Sequence, residues 1–132
     1  MNALLAICAA LPALAAAPTG IDTMRHHRRI LLVVAPAPDD PQLAEQRRLL
    51  EPWRAGAADR DLSVVELVGD RVVGATDPAP ALRRRFRLVT SRFAVLLIAK
   101  DGHVADRGDH PITAEALERQ IDAMPMRRAG QR

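Results

Sequence analysis

The sequence predicts an α/β domain with a central mixed sheet flanked by helices, in the order β-α-β-α-β-β-α. Three observations lead to this prediction. Short apolar runs rich in β-branched residues alternate with segments of helical periodicity. An Asp-Gly pair follows the third run, and this pair is typical of a hairpin turn. The length of 132 residues suits one domain.

The predicted elements follow one another without an internal repeat. Strands are expected at residues 30–35, 61–69 and 92–99, an extended piece at 71–73, a return strand at 103–106, and helices at 41–59, 79–86 and 113–124. The first strand is apolar throughout, which predicts burial on both faces. Because helices join the strong strands, we expect parallel pairing with right-handed crossovers. The Asp101-Gly102 turn adds an antiparallel edge.

Helix boundaries are predicted by capping residues and prolines. Asp40 and Thr113 are favourable N-caps, and Pro41 suits the first position of a helix. Pro52 lies inside the first helical pattern, so we expect a kink or a restart there. Pro125 is expected to stop the last helix.

The N-terminal 17 residues resemble a secretory signal peptide. They carry no charged side chain, have an apolar core at residues 4–14 and end in three alanines. We expect cleavage near Ala17 and a periplasmic or secreted protein without a transmembrane segment; a retained N-terminal helix is the alternative. Cys8 is the only cysteine, so cleavage would leave no thiol for redox chemistry or metal binding.

The remaining chain divides into a flexible basic lead-in at residues 18–29, one domain at 30–125 and a basic tail at 126–132. The net charge is +3, and the basic residues are clustered. Such clusters suit an anionic partner, although solvated surfaces are the simpler interpretation. One Trp and two Phe offer few platforms for base stacking, so no nucleic-acid partner is expected.

Nearly the whole predicted mature chain resembles the bacterial DUF4174 family, a thioredoxin-like domain of undefined function. The segments that carry this resemblance are residues 29–36, 40–48, 60–66 and 121–128. The element order and the hairpin at residues 93–102 also resemble thioredoxin itself. The resemblance implies a thioredoxin-like fold and an exported setting, and it implies no catalytic residues.

The sequence departs from active thioredoxins at the two places that carry their chemistry. Where the Cys-x-x-Cys motif is expected, residues 36–41 read Pro-Ala-Pro-Asp-Asp-Pro. Where thioredoxins have a cis-proline before the late strand, the matching residue is Ala94. The scaffold is therefore predicted to lack thiol-disulfide oxidoreductase activity, and the fold alone carries no function.

Five residues are candidates for binding a ligand or partner: Asp39, Asp40, Arg83, Arg87 and Arg92. The two aspartates stand at a helix start, where they could hold a cation or act as an acid/base pair, although N-capping is the simpler role. Arg83 and Arg87 are four residues apart on a helix and share a face, so they could bind an anion.

No cofactor or metal site is predicted. The adjacent His26 and His27 have no carboxylate or thiolate near them in sequence. Several carboxylates and histidines crowd the late hairpin without matching a known metal-binding loop, so turn and edge roles are favoured. These residues are Asp101, His103, Asp106, Asp109 and His110.

The leading functional hypothesis is a non-catalytic interaction module with an unknown protein or anionic partner in the cell envelope. Its contact surface is expected on the loops at residues 36–41, 69–77 and 90–94. A cysteine-independent hydrolase, using Asp39 or Asp40 with a histidine, and a structural envelope protein are the alternatives. A pocket joining Asp39 to a histidine would favour the enzyme, and an apolar patch beside the arginines would favour the module.

Overall fold

A computed structural model of the chain describes residues 19–128 and 130. The helices are α1 (Ile21–Met24), α2 (Pro41–Leu50), α3 (Arg54–Asp59), α4 (Ala79–Phe86), α5 (Ala114–Asp122) and α6 (Pro125–Arg128). The strands are β1 (Arg29–Ala35), β2 (Leu62–Val68), β3 (Arg71–Val73), β4 (Ala94–Ile98) and β5 (Val104–Gly108). The expected signal peptide and Cys8 lie outside the described residues.

The five strands form one mixed sheet in the order β3-β2-β1-β4-β5. β1 lies at the centre, parallel to β2 and antiparallel to β4. The two outer strands, β3 and β5, are each antiparallel to their neighbours. The predicted α/β fold, a central mixed sheet flanked by helices, is therefore confirmed.

The direction of β4 corrects one expectation from the sequence. The third strong strand was expected to run parallel to the first, but Ile30 pairs with Ile98 in an antiparallel ladder. The reason is β3, which the sequence suggested only as an extended piece. The hairpin from β2 to β3 reverses the chain before α4 crosses over. β3 and β4 therefore run in the same direction, as a helical crossover requires.

The core consists of two apolar layers, one on each face of the sheet. All seven residues of β1 are buried, and alternate residues point to opposite faces. Ile30, Leu32 and Val34 pack with apolar residues of α1 and α4. Leu31 and Val33 pack with apolar residues of α2 and α5 on the other face. The predicted burial of this strand on both faces is thereby confirmed.

The segment expected to be a flexible lead-in, residues 18–29, is packed from residue 19 onward. Ile21 and Met24 are three residues apart on α1, and both are buried in the first layer. Asp77 Oδ2 accepts a hydrogen bond of 2.8 Å from the Ile21 N–H. Burial of two apolar side chains and this tie to a distant loop hold the segment against the sheet.

The first long helix is interrupted at the predicted proline. α2 ends at Leu50, residues Glu51–Trp53 form one 3₁₀ turn that contains Pro52, and α3 continues to Asp59. Gln46 is buried on α2, where its amide donates to the Ile112 carbonyl (2.9 Å) and accepts from the Ile112 N–H (2.8 Å). This reciprocal pair fixes the segment before α5 against α2.

Arg60, which precedes β2, ties helix α5 to the end of α3. Its guanidinium donates to Asp122 (3.0 and 3.1 Å), to Glu118 (2.9 Å) and to the Gly56 carbonyl (3.1 Å). It also lies 5.7 Å from the centre of the Trp53 ring. The hydrogen bond from Arg60 lowers the pKa of Asp122.

The segment after α5 continues in helical form. Pro125 was expected to stop the last helix, but α5 ends at Asp122 and Pro125 begins α6. Arg127, part of the expected basic tail, donates to Asp59 Oδ2 at 2.6 Å. The described part of the tail is therefore anchored to the end of α3.

Candidate functional site

Four connecting segments meet at one end of the sheet. The strand register places the segment after β1 beside the one before β4, because Val34 pairs with Ala94. The segment after β5 joins them, since Gln42 Nε2 donates to the Asp109 carbonyl (3.2 Å). The Gly69 N–H donates to the Ala35 carbonyl (3.0 Å), which brings the β2–β3 turn to the same end.

This arrangement brings together only part of the expected contact surface. Residues 36–41, 90–94 and the start of 69–77 share the sheet end. The later part of 69–77 turns away, because the Thr76 N–H donates to the Thr19 carbonyl (3.3 Å) on the lead-in. The segment at residues 109–113, which was not part of the expected contact surface, lies at this end instead.

The two aspartates at the start of α2 differ in their surroundings. Asp40 Oδ1 accepts from the N–H groups of Gln42 (2.8 Å) and Leu43 (3.4 Å), as an N-cap does. Asp39 is exposed, and no hydrogen bond or ion pair of its side chain is present within residues 19–128. The capping role predicted for Asp40 is confirmed, and Asp39 is left facing solvent.

The Arg83 side chain binds the β2–β3 turn and does not extend over the open surface. Its guanidinium donates to Asp70 Oδ1 (2.8 Å) and to the Gly69 carbonyl. The Arg83 side chain is 18% exposed, whereas that of Asp70 is 94% exposed. We therefore assign Arg83 to holding the turn.

Arg87 and Arg92 lie together beside a shallow groove of about 400 Å³. We name this the arginine groove; its lining residues are Arg87, Leu88, Val89, Arg92, Phe93, Ala94, Arg107, Gly108 and Asp109. Arg87 closes α4 in a left-handed conformation (φ 53°). The Arg87 N–H donates to the Arg83 carbonyl, so the C-terminus of α4 fixes the position of the Arg87 backbone.

Arg107 is the third guanidinium of the groove, and the sequence analysis did not select it. It lies on β5 opposite Leu96, whose side chain belongs to the α4 layer of the core. Directly paired residues share a face, so Arg107 points toward α4. There it donates to the Phe86 carbonyl at the end of the helix. Side chains alternate between the two faces of a strand, and this alternation along the return strand could have identified Arg107.

Of five cavities found within the described residues, none is lined by Asp39 or Asp40, so none of the five joins either of these aspartates to a histidine. His103 lies at the opposite end of the sheet, where its carbonyl accepts from the Ala99 N–H (3.0 Å). His110 is nearer, with Nδ1 3.3 Å from Gln42 Nε2, but its ring is exposed.

Two further features concern metal binding and membrane insertion. Within residues 19–128, no group of three or more His, Cys, Asp or Glu side chains is placed to hold a metal ion. In the same part of the chain, no helix is long and apolar enough to cross a bilayer.

Comparisons with known proteins report a family and a structural neighbour. Among solved structures, the chain is similar to one described as "Structure of a malarial protein", with 16% sequence identity and a TM-score of 0.54. That alignment covers 72% of this chain and 94% of the other. At this identity the likeness concerns the fold alone. A search of curated protein sequences finds no match.

The family described as "Domain of unknown function (DUF4174)" matches residues 20–130. The match begins ten residues before the predicted domain start at residue 30, and it thus includes the packed segment with α1. The predicted resemblance is confirmed over most of the chain, and the chain belongs to the DUF4174 family.

Proposed function

We propose that this chain is a non-catalytic binding module that holds an anionic segment of a partner in the arginine groove. We further propose that its fold is thioredoxin-like and that it works in the periplasm or outside the cell after cleavage near Ala17. The arginine groove is the observation that carries the proposal. It is the apolar patch beside arginines that distinguishes a binding module from the hydrolase alternative.

The charges of the groove are available to a ligand. Arg87 and Arg92 are exposed, and within the described residues neither side chain has an ion pair within 4.0 Å. One nitrogen of Arg107 donates to the Phe86 carbonyl, and the other N–H groups of its guanidinium remain available to a ligand. Asp109 is the one acidic residue of the lining, so the groove has a net positive charge. Guanidinium groups bind carboxylates through two parallel hydrogen bonds.

The floor of the groove supports a partner with apolar as well as acidic side chains. Leu88, Val89, Phe93 and Ala94 line it, and Val89 is 53% exposed. Contact with this surface would remove apolar area from water, while the surrounding guanidiniums set the charge and orientation of the ligand. We therefore expect the partner segment to combine carboxylates with aliphatic side chains.

The expected loss of the one thiol on cleavage supports a role in binding rather than in redox chemistry. The only cysteine, Cys8, lies in the expected signal peptide. The hydrolase alternative needs a carboxylate and a histidine around one substrate-sized space. Asp39 and Asp40 line no such cavity in the described part of the chain.

The test is a titration of the purified protein with a fluorescein-labelled peptide of alternating glutamate and leucine, followed by fluorescence anisotropy. A lysine–leucine peptide is the reverse-charge control. We expect saturable binding of the acidic peptide only. Replacing two of the three groove arginines, Arg87→Ala and Arg92→Ala, should weaken it at least about tenfold, since two charge-assisted contacts are lost and each factor of ten is about 1.4 kcal/mol.

A second double variant, Arg48→Ala with Arg54→Ala, removes the same charge from exposed positions on α2 and α3. It should bind the acidic peptide as the unmodified protein does. Equal weakening in both variants would mean that overall charge and not the groove attracts the peptide. No saturable binding in the unmodified protein would also reject the proposal.

A further inference from the structure

We propose that a small cavity at the other end of the sheet binds a small oxyanion, either a carboxylate or inorganic phosphate. This inference is independent of the arginine groove. The cavity has a volume of about 160 Å³ and lies between the start of β1, the β4–β5 turn and the α5–α6 junction. Its lining residues are Arg29, Ala99, Lys100, Asp101, His103, Met124 and Pro125.

Arg29 is a buried cation with unused hydrogen-bonding capacity. The residue is 1% exposed, and its Nη1 donates to the Arg60 carbonyl at 2.7 Å. Its Nε is buried and has no hydrogen-bond partner among the described residues. Among the described residues, no carboxylate oxygen lies within 4.0 Å of a side-chain nitrogen of Arg29. A buried guanidinium without a counterion lowers the stability of the folded state, and a bound anion would offset this loss.

The neighbouring carboxylates are already engaged by other cations. Asp61 Oδ2 accepts from Lys100 Nζ at 2.9 Å. Asp122 and Asp59 accept from Arg60 and Arg127 respectively. The lining itself holds two cations, Arg29 and Lys100, and one carboxylate, Asp101.

The charge on Arg29 persists at neutral pH. Burial, followed by the nearby charge of Arg127, lowers the pKa of Arg29. Arginine starts from a pKa so high that it stays protonated in proteins. The charges of Asp61 and Asp122 act in the opposite direction, and an oxyanion in the cavity would add a closer negative charge.

The size and chemistry of the cavity match a small oxyanion. Its volume corresponds to about five water molecules at roughly 30 Å³ each, which suits acetate or phosphate. The Nε side of a guanidinium is one edge of the fork that binds oxyanions in bidentate fashion. Lys100, which is 3% exposed, supplies a second buried cation in the lining.

The β4–β5 turn contributes exposed residues to the lining, and the His103 side chain there is 62% exposed. Asp101, the acidic residue of the lining, is turned toward His103. Its Oδ1 accepts from the His103 N–H (3.0 Å) and contacts His103 Nδ1. These hydrogen bonds lower the pKa of Asp101, and they keep its carboxylate occupied.

The test is isothermal titration of the purified full chain with sodium phosphate and, separately, sodium acetate, at constant ionic strength and against sodium chloride. We expect saturable binding of at least one of the two anions; which one binds identifies the source of the oxyanion. Arg29→Lys keeps the charge but loses the planar fork, and it should weaken binding at least about tenfold. Ala99→Leu should abolish binding by filling the cavity.

Two controls distinguish binding in this cavity from binding in the arginine groove and from a general effect of salt. The Arg87→Ala/Arg92→Ala variant should bind the small anion unchanged, since the arginine groove is at the far end of the sheet. Loss of anion binding in that variant, with Arg29→Lys unaffected, would place the anion in the groove and overturn the inference. Titration heats that show no saturation and are equal in every variant would be a general salt effect and would also overturn it.

Discussion

Replacing Arg60 with methionine should destabilise the fold by about 2–3 kcal/mol at neutral pH. The pairs with Asp122 and Glu118 contribute only about 1 kcal/mol, because both carboxylates are partly exposed. The hydrogen bond to the Gly56 carbonyl adds about 1 kcal/mol. The contact with the Trp53 ring adds about 0.5–1 kcal/mol. Methionine keeps most of the apolar stem, so packing changes little.

The effect should depend on pH in a defined direction. The pKa of Asp122 is lowered in the folded protein, so the unfolded chain binds the proton more readily. The stability that this pair supplies is complete well above the ordinary aspartate pKa of about 3.9, and it is lost as the pH falls through the lower pKa of the folded state. The difference between the unmodified protein and Arg60→Met should therefore be largest at neutral pH and should narrow below about pH 4.

The assay is urea denaturation, followed by far-ultraviolet circular dichroism and by the fluorescence of Trp53, the only tryptophan. Arg48→Met is the matched control, because Arg48 pairs with Glu45 on an exposed helix surface. It should leave the unfolding midpoint unchanged. A loss for Arg60→Met below about 0.5 kcal/mol, the range of ordinary surface substitutions, would refute the reasoning. A difference that stayed constant into acid would refute the role of Asp122.

Two further predictions concern the backbone and the start of α2, and both are measured by the same denaturation. Gly74→Ala should cost about 1–3 kcal/mol, because Gly74 has φ +95° and a Cβ would lie 2.7 Å from the Val64 carbonyl oxygen. Gly108→Ala is its control; there a Cβ would meet its nearest atom at 3.8 Å, so an equal loss would contradict the steric explanation. Asp40→Ala should cost about 1 kcal/mol through the lost N-cap. Asp39→Ala should leave the free energy of unfolding unchanged. A larger loss of stability for Asp39→Ala than for Asp40→Ala would show that the N-cap is misassigned.

Much of the fold could be predicted from patterns among residues that are close together in the sequence. The apolar run at residues 30–35 and the caps Asp40 and Thr113 depend on neighbouring residues alone, and the structure agrees with each. Pro52 acts locally too, because it lacks the N–H that a continuing helix needs. The expected direction of β4 was wrong, since it depends on the three-residue strand β3, which is too short to recognise with assurance.

The candidate site was harder to predict, because the role of an arginine depends on what distant segments place around it. The spacing of Arg83 and Arg87 predicted a shared helix face, but α4 ends at Phe86 and Arg87 follows it in a left-handed conformation. Arg83 is held by the β2–β3 turn, whereas Arg87 lines the groove. Arg29 and Arg60 look like any other arginine in the sequence, but both are buried. Their surroundings come from α5, α6 and the end of α3, and no local pattern reports such contacts.

The packed segment around α1 limits how far the N-terminus can be shortened. Ile21 and Met24 cover the layer that contains Leu96 and Ile98 on β4. A protein that began after Met24 would expose these apolar side chains to water and invite self-association through them. A recombinant product meant to stay monomeric should therefore start no later than residue 19, ahead of the first contact that this segment makes with the Thr76 N–H.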